Sequence, residues 1–455
     1  MGRTPALDAH LDIFGNQPPL HKLYTQVTLC YGLRDTSRDS DIVQQLSQSL
    51  EHLTISFPWI AGQVIKVDNG VPKIRPLDRS PHFVVKDYRS SASIPSFDKL
   101  KEASFPFSML NESVIAPCPT LSHTVDGPVA VFLVQANFID GGLLLTFNAA
   151  HDVMDLVGQG FLLSMLDKIC NGASISEEEE FIGNPQRETM LSLLDESYQP
   201  GPEIDPQRIT PVDIQVTPEG VASQNFQSPA RSDWEYFIFS PSSLLDLKAH
   251  VSSTLPSGSF ISTDDALTAL VYARLTAARL YRLPPTSNIA IARAVDARRY
   301  LGLHDNYPGL MHHMTYHTFP AKELPSLPLG DIALDFRRAV DPATSDVAFR
   351  TRALATALDR AEAKSKFSFT ACIDGSRDMM LSSWSKVDWY DLSFGLCLGK
   401  PEAVRRPYFQ CNEGIIYFMP RRKDGEIAVG ICARKEDLDS LRTDKEWARY
   451  GRWIG

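Results

Sequence analysis

Thr146-Phe-Asn-Ala-Ala-His-Asp-Val-Met-Asp-Leu-Val-Gly-Gln-Gly160 is the stretch from which the rest of the chain is read. An apolar, strand-like run through Leu143, Leu144 and Leu145 leads into it, and the small residues Ala149 and Ala150 then turn the chain and deliver His151, with Asp155 four positions on. Such a turn lifts an imidazole off a sheet edge into a cleft. An imidazole titrates near neutrality, so it can take a proton from an alcohol or thiol and pass it on. By itself an H-x-x-x-D pair is short enough to arise by chance, and an incidental histidine is the competing reading.

Working outward, Val129 to Ile139 and Leu143 to Phe147 read as a hairpin across Asp140-Gly-Gly142, and Phe161, Leu162, Met165, Leu166 and Ile169 mark an amphipathic helix after the turn. Upstream, Tyr24 to Tyr31 reads as a strand, and Ile42, Val43, Leu46, Leu50 and Leu53 as one face of a helix. A strand from about Gly62 to Val67 precedes Asp68-Asn-Gly70, a strong hairpin signal. Between about Ser174 and Ala230 an acidic run (Glu177 to Glu180) and crowded prolines mark a long surface crossover. Beyond it come a strand from Trp234 to Phe239 and a helix opening at Pro241. A helix follows at Ser262, where Asp265 stands in a capping-box position. A strand from Ile289 to Val295, helices near 328–340 and 345–364, and strands near Met379, Gly414 and Ile427 complete the half.

Both halves mix strands and helices, so the chain divides into an N-terminal lobe (1–190) carrying H-x-x-x-D, a crossover linker (191–230) and a C-terminal lobe (231–455). A cleft between lobes is the usual place for a large cofactor and a small substrate to meet. At 455 residues the chain is long for one core, and 43% hydrophobic with 22% charged residues describes a globular protein. A formal charge of −10 lacks the electrostatic footprint of a nucleic-acid or polybasic membrane binder. No apolar run approaches the ~20 residues that span a bilayer, and the first residues lack a signal core, so the expected location is cytoplasmic. Seven scattered cysteines without C-x-x-C read as reduced, mostly buried thiols. His312, His313 and His317 suggest no metal, because strand alternation sets 312 opposite the other two.

Spaced segments add a resemblance. Pro58-Trp-Ile-Ala-Gly-Gln-Val64, His151 to Gly158, Phe260-Ile-Ser-Thr-Asp-Asp-Ala-Leu267, Ala294-Val-Asp-Ala-Arg298, Asn306-Tyr-Pro-Gly-Leu310, Met314-Thr-Tyr-His317, Met380-Leu-Ser-Ser-Trp-Ser-Lys386 and Gly399-Lys-Pro-Glu-Ala-Val-Arg-Arg-Pro407 occur in order. Together they resemble the BAHD acyltransferases, marked by H-x-x-x-D and D-F-G-W-G, and within them the fungal trichothecene 3-O-acetyltransferases. The resemblance implies a mixed α/β, two-lobed, chloramphenicol-acetyltransferase-like fold with an active-site channel between the lobes. It also implies a monomer that takes acetyl-CoA and a small-molecule alcohol, with no metal.

Residue by residue, His151 matches the general base and Asp155 the aspartate that fixes its loop. Ser382 and Trp384 match positions near the reacting carbonyl. Ser262, Thr263 and Asp265 match a segment beside coenzyme A, though an ordinary capped helix is the alternative. Arg405 and Arg406 either serve its phosphates or are simply exposed. Two departures stand out. Leu156 replaces the glycine after the motif aspartate, and Ser393 replaces the aspartate of D-F-G-W-G. That aspartate pairs in the family with an arginine kept here as Arg298, so the expectation is that Asp391 or Asp296 substitutes. A non-catalytic binder on the same scaffold is the rival reading, against which His151 stands. A condensation-type domain carries a second histidine where this chain has Ala150.

Overall fold

The structure, a computed structural model, describes residues 7–67, 71–77, 83–122, 129–209, 215–216, 222–223 and 231–455. The first half contributes β1 (Tyr24–Gly32), α1 (Asp39–Ser56), β2 (Gly62–Lys66), β3 (Pro72–Pro76), β4 (Phe83–Asp87), β5 (Phe132–Ile139), β6 (Gly142–Ala150) and α2 (Leu156–Cys170). The second contributes β7 (Ser232–Phe239), α3 (Pro241–Ser252), α4 (Thr263–Arg279), β8 (Asn288–Asp296), β9 (His312–Pro320), α5 (Leu329–Arg338), α6 (Val347–Arg360) and β10 (Met379–Ser383). It continues with β11 (Ala403–Arg405), β12 (Ile415–Phe418), β13 (Ile427–Arg434), α7 (Lys435–Thr443) and β14 (Gly451–Trp453). The mixed α/β class expected from the sequence is what forms.

Two sheets organise the molecule. The first runs β11-β1-β6-β5-β4, and the second β9-β8-β10-β12-β13-β7-β14. The β5–β6 hairpin turns at Asp140-Gly141, where Gly141 takes the left-handed φ of +74° that a two-residue turn demands and a side chain disfavours. β2 and β3 pair antiparallel, as the Asp68-Asn-Gly70 signal implies, although that turn lies outside the described residues. β11 belongs to the second half by sequence but pairs with β1, Ala403 opposite Cys30, so the C-terminal half adds an edge to the N-terminal sheet.

Period-two alternation explains how the second sheet joins two cores. Trp234, Tyr236 and Ile238 of β7 face the core shared with the first half, while Phe237 and Phe239 face the core under α3, α4 and α5. A strand buried on both faces reads as a continuous apolar run, which is why β7 was legible. The crossover departs from a surface tether. Arg187 and Ile204 are buried, Arg187 against Asp12 at 2.7 Å and Ile204 in a third core with Tyr307, Leu354 and Phe369. All seven cysteines are free thiols; Cys30, Cys170 and Cys432 are buried, whereas Cys372 and Cys397 are exposed, against the expectation of mostly buried thiols. Among the described residues no helix is long and apolar enough to cross a membrane.

Candidate active site

β6 ends at Ala150, and the backbone N–H of His151 donates to Leu23 O at 2.8 Å, so the first sheet itself anchors the turn. The His151 side chain is partly open. His151 Nδ1 lies 3.2 Å from Met154 O. A carbonyl only accepts, so Nδ1 carries the proton and Nε2 keeps its lone pair. Burial pushes the imidazole below its ordinary value, against the Met154 bond and the Asp155 charge, with Arg406 adding to the depression. The ring is therefore a neutral proton acceptor at physiological pH, the state a general base requires.

Asp155 turns away from this chemistry. It is the N-cap of α2: Oδ1 accepts from Val157 N at 3.0 Å and Gly158 N at 3.1 Å. The carboxylate also meets Arg298 Nη2 and Met311 N, each at 2.8 Å, and is nearly buried. Burial pushes the carboxyl up, but the Arg298 charge and these hydrogen bonds outweigh it and hold the pKa below the usual range. Arg298, fully buried, also bonds Asp296 Oδ1 at 2.8 Å and the carbonyls of Tyr307 and Gly309. Of the two expected substitutes, Asp296 is therefore a partner and Asp391 is not. Asp391 sits at the surface between Lys400 and Lys423. Nor does Ser393 face Arg298. Its backbone N–H and that of Phe394 both donate to Asp167 Oδ1, at 2.7 and 2.6 Å. The carboxylate bracing this loop thus comes from α2, out of reach of any local count along the sequence. The brace is needed because Phe394 and Gly395 both have positive φ, and a Cβ on Gly395 would lie 2.4 Å from Cys170 O.

Leu156 is the first residue of α2 and packs, partly buried, against the first core. The close contact is at Gly158, where a Cβ would stand 2.1 Å from Pro308 O. This is how the 306–312 segment of the second half docks on the His151 loop.

Ser382 and Trp384 come together at the end of β10. Trp384 Nε1 donates to Ser382 Oγ at 3.1 Å, which leaves the Ser382 hydroxyl proton free to be donated elsewhere. Ser262 and Asp265 form the capping box of α4, Ser262 N to Asp265 Oδ2 at 2.8 Å and Asp265 N to Ser262 Oγ at 3.1 Å. Thr263 is the first residue of that helix. Asp265 also pairs with Arg293 and Arg337, so the capped-helix alternative is the arrangement its hydrogen bonds show.

Arg405 and Arg406 are not exposed, and this corrects the surface reading. Arg405 turns inward to the carbonyls of Ser104, Phe105 and Val404. Arg406 lies 4.4 to 5.6 Å from the ring centroids of Phe409, Tyr417 and Trp384 and bonds Tyr24 O at 3.4 Å. Guanidiniums enclosed this way are held by carbonyls and ring faces, not offered to a solvent-borne phosphate. Alternation on β9 holds as expected, with His313 and His317 buried on one face and His312 on the other, beside His151. Among the described residues no group of three or more His, Cys, Asp or Glu could hold a metal ion.

Comparison with known proteins agrees with this geometry. A family model described as "Trichothecene 3-O-acetyltransferase-like N-terminal domain" matches residues 23–170. The chain is 44% identical to the O-acetyltransferase dmxR13 of Cryptosporiopsis sp., over 99% of this chain and 98% of the relative. It is 40% identical to trichothecene 3-O-acetyltransferase TRI101 of Fusarium sporotrichioides, over 99% and 98%. The crystal structure of F. graminearum TRI101 complexed with coenzyme A and deoxynivalenol superimposes with a TM-score of 0.93 at 39% identity, covering 99% of this chain and all of that one. Vinorine synthase, at 14% identity and a TM-score of 0.64, shares the fold. These relatives make the chain an acyl-CoA-dependent O-acetyltransferase, and its two-sheet α/β scaffold is the BAHD fold. Within that class, the chain belongs to the family of trichothecene 3-O-acetyltransferase-like O-acetyltransferases.

Proposed function

We propose that the protein transfers the acetyl group of acetyl-CoA to a secondary hydroxyl of a fungal secondary metabolite, the 3-hydroxyl of a trichothecene, with His151 as general base. The observation that carries the reading is the Nδ1 contact to Met154 O, which directs the lone pair of Nε2 outward. Nε2 takes the proton of the acceptor hydroxyl, and the alkoxide oxygen attacks the thioester carbonyl carbon. The C–O bond forms as negative charge passes to the carbonyl oxygen. Ser382, its lone pair engaged by Trp384, donates its hydroxyl proton toward that oxygen. When the intermediate collapses, the C–S bond breaks, and the imidazolium returns the proton to the departing thiolate. General-base assistance supplies ~10²–10⁴ in rate, and alignment of the two substrates supplies much of the remainder.

The co-substrate reading is supported by relatives solved with coenzyme A and with ethyl coenzyme A, and the acceptor reading by those solved with deoxynivalenol and T-2 toxin. Residues 1–190 and 231–455 act as the two lobes of a cytoplasmic monomer, with 191–230 as the crossover and the channel between them. Ser262 and Thr263 of α4 lie on the coenzyme A side. The test is a panel of deoxynivalenol, T-2 toxin and unrelated terpenoid and alkaloid alcohols, each incubated with acetyl-CoA and scored for a gain of one acetyl mass. Acetylation confined to non-trichothecene alcohols moves the acceptor elsewhere. No transfer to any alcohol, with acetyl-CoA bound, favours the binding-protein reading.

A further inference from the structure

The base is loosely held for a catalytic histidine. No carboxylate bonds its Nδ1, because Asp155 is committed to Arg298 and to backbone N–H groups, and the single contact to Met154 O is long at 3.2 Å. One hydrogen bond at one edge fixes a direction in the ring plane and leaves the tilt of that plane free. Asp152, the neighbouring acid, is bonded instead to His21 at 3.1 Å. Something else must set the tilt.

The His312 ring, on the first residue of β9, lies nearly parallel to that of His151, with centroids 5.7 Å apart and planes 15° apart. The Phe369 ring lies on His312 in turn, at 4.3 Å and 38°. This backing is itself fixed: Phe369 is buried, and its carbonyl accepts from Tyr316 Oη at 2.6 Å, a residue of the same strand as His312. The His312 ring nitrogens make no hydrogen bond within the protein among the described residues, so the ring is held by its faces. Burial drives its pKa down to about 3, helped by the repulsion that a protonated His151 would exert, against the pull of Asp155 and with further lowering from His313 and Arg298. His312 is thus a neutral, flat wall that sets no second positive charge beside the base.

We propose that His312 is a positioning residue for the transfer: backed by Phe369, its ring face sets the plane of the His151 imidazole and so the aim of Nε2. The stack also screens that face from water. This inference rests on the reading of His151 as the base. It adds a residue of the second half to the H-x-x-x-D turn of the first, so docking of the two halves completes the base. Aromatic and imidazole faces at such separations prefer the offset, near-parallel arrangement seen here. Small errors in aim are expensive, since a displacement of about 1 Å at a reacting group can cost ~10²-fold in rate.

The experiment compares His312→Ala, His312→Phe, His151→Ala and the parental protein, each checked for melting temperature. Two quantities are read: kcat with acetyl-CoA and the fastest alcohol of the panel, and the pKa of the His151 ring by NMR, its signal assigned by absence in His151→Ala. His312→Ala should lower kcat by about tenfold with KM for acetyl-CoA unchanged. It should also raise the His151 pKa toward its ordinary value, because water replaces the ring while Asp155, Asp152 and Arg406 stay in place. His312→Phe keeps a flat face and should recover most of both effects. A folded His312→Ala with kcat within twofold of parental and an unmoved His151 pKa overturns the proposal. So does a His312→Phe as impaired as the alanine variant, which would assign the role to the ring nitrogens. Activity surviving in His151→Ala overturns the base reading instead, whatever His312 does.

Discussion

Asp155 Oδ1 lies 2.8 Å from Arg298 Nη2, and through this buried pair the cap of α2 in the first half is bonded to the start of the short helix Arg298–Leu301 in the second. The same carboxylate caps a helix, pairs a charge and receives Met311 N. Asparagine keeps the shape but leaves Arg298, with Asp296 half-exposed as its remaining counter-charge, short of a buried partner. Breaking a buried pair from one side costs about 3–5 kcal/mol, reduced here by what Asp296 retains. Asp155→Asn should therefore melt well below the parental protein and lose activity with it. The pair's contribution is present above the ordinary carboxylate range and is lost as pH falls through the depressed pKa of Asp155, so the variant should show a flatter acid limb in denaturant titrations. Unchanged melting with collapsed turnover would place Asp155 in the chemistry.

His151→Ala should lose about 10³ in kcat/KM, equivalent to ~4 kcal/mol of transition-state stabilisation, with melting little changed. The depressed imidazole pKa fixes the sign of the pH profile. Neutral His151 is the active form, so activity should persist as pH falls to ~6.5 and decline only below it. A parental acid limb above that value contradicts the burial argument, and a folded alanine variant with a tenth of parental activity contradicts the base.

Asp167, not Asp391, braces the loop at Ser393. Asp167→Ala removes the acceptor of two backbone N–H groups next to a positive-φ pair and should destabilise by about 1–3 kcal/mol. Asp391→Ala touches only exposed lysines and should stay within about 0.5 kcal/mol of parental. Ser393→Asp brings a second carboxylate beside Asp167 and far from Arg298, so it should not stabilise. Parallel denaturation of the three variants tests the order, and a Ser393→Asp protein that melts markedly higher would refute it.

His313 is buried with neither ring nitrogen partnered among the described residues, and burial with the nearby Arg350 charge lowers its pKa to about 4. The unfolded chain takes up that proton near pH 6.5 and the native state only near 4, so stability falls as pH drops between those values. His313→Leu removes both orphaned atoms and the linkage. It should raise stability by about 1 kcal/mol at pH 7 and by more at pH 5, as read from urea midpoints. A lower midpoint at pH 5 would show that the site holds a bound water worth more than the apolar replacement.

By itself, the sequence determined what depends on local order. Alternation in β6 and β7, the turn at Asp140-Gly141, the Ser262–Asp265 capping box and the helical face of α2 are all set by residues within a few positions of one another. Ordered motifs also brought His151 and Asp155 forward, and Arg298 separately, as the expected partner of the position now held by Ser393. Tertiary structure alone decided which groups meet across the chain. Asp167 holds a loop 226 residues away, and Asp155 takes an arginine 143 positions downstream. Arg405 and Arg406 read as ligands of coenzyme A phosphates or as exposed cations, yet packing of β11 on β1 encloses one among carbonyls and the other among rings. His312 read as an ordinary strand histidine until docking of Pro308 against Gly158 brought its ring over that of His151. Periodicity reports which face of an element is buried. It carries no information on what that face is buried against, because the partner is chosen by the packing of distant segments and their charges.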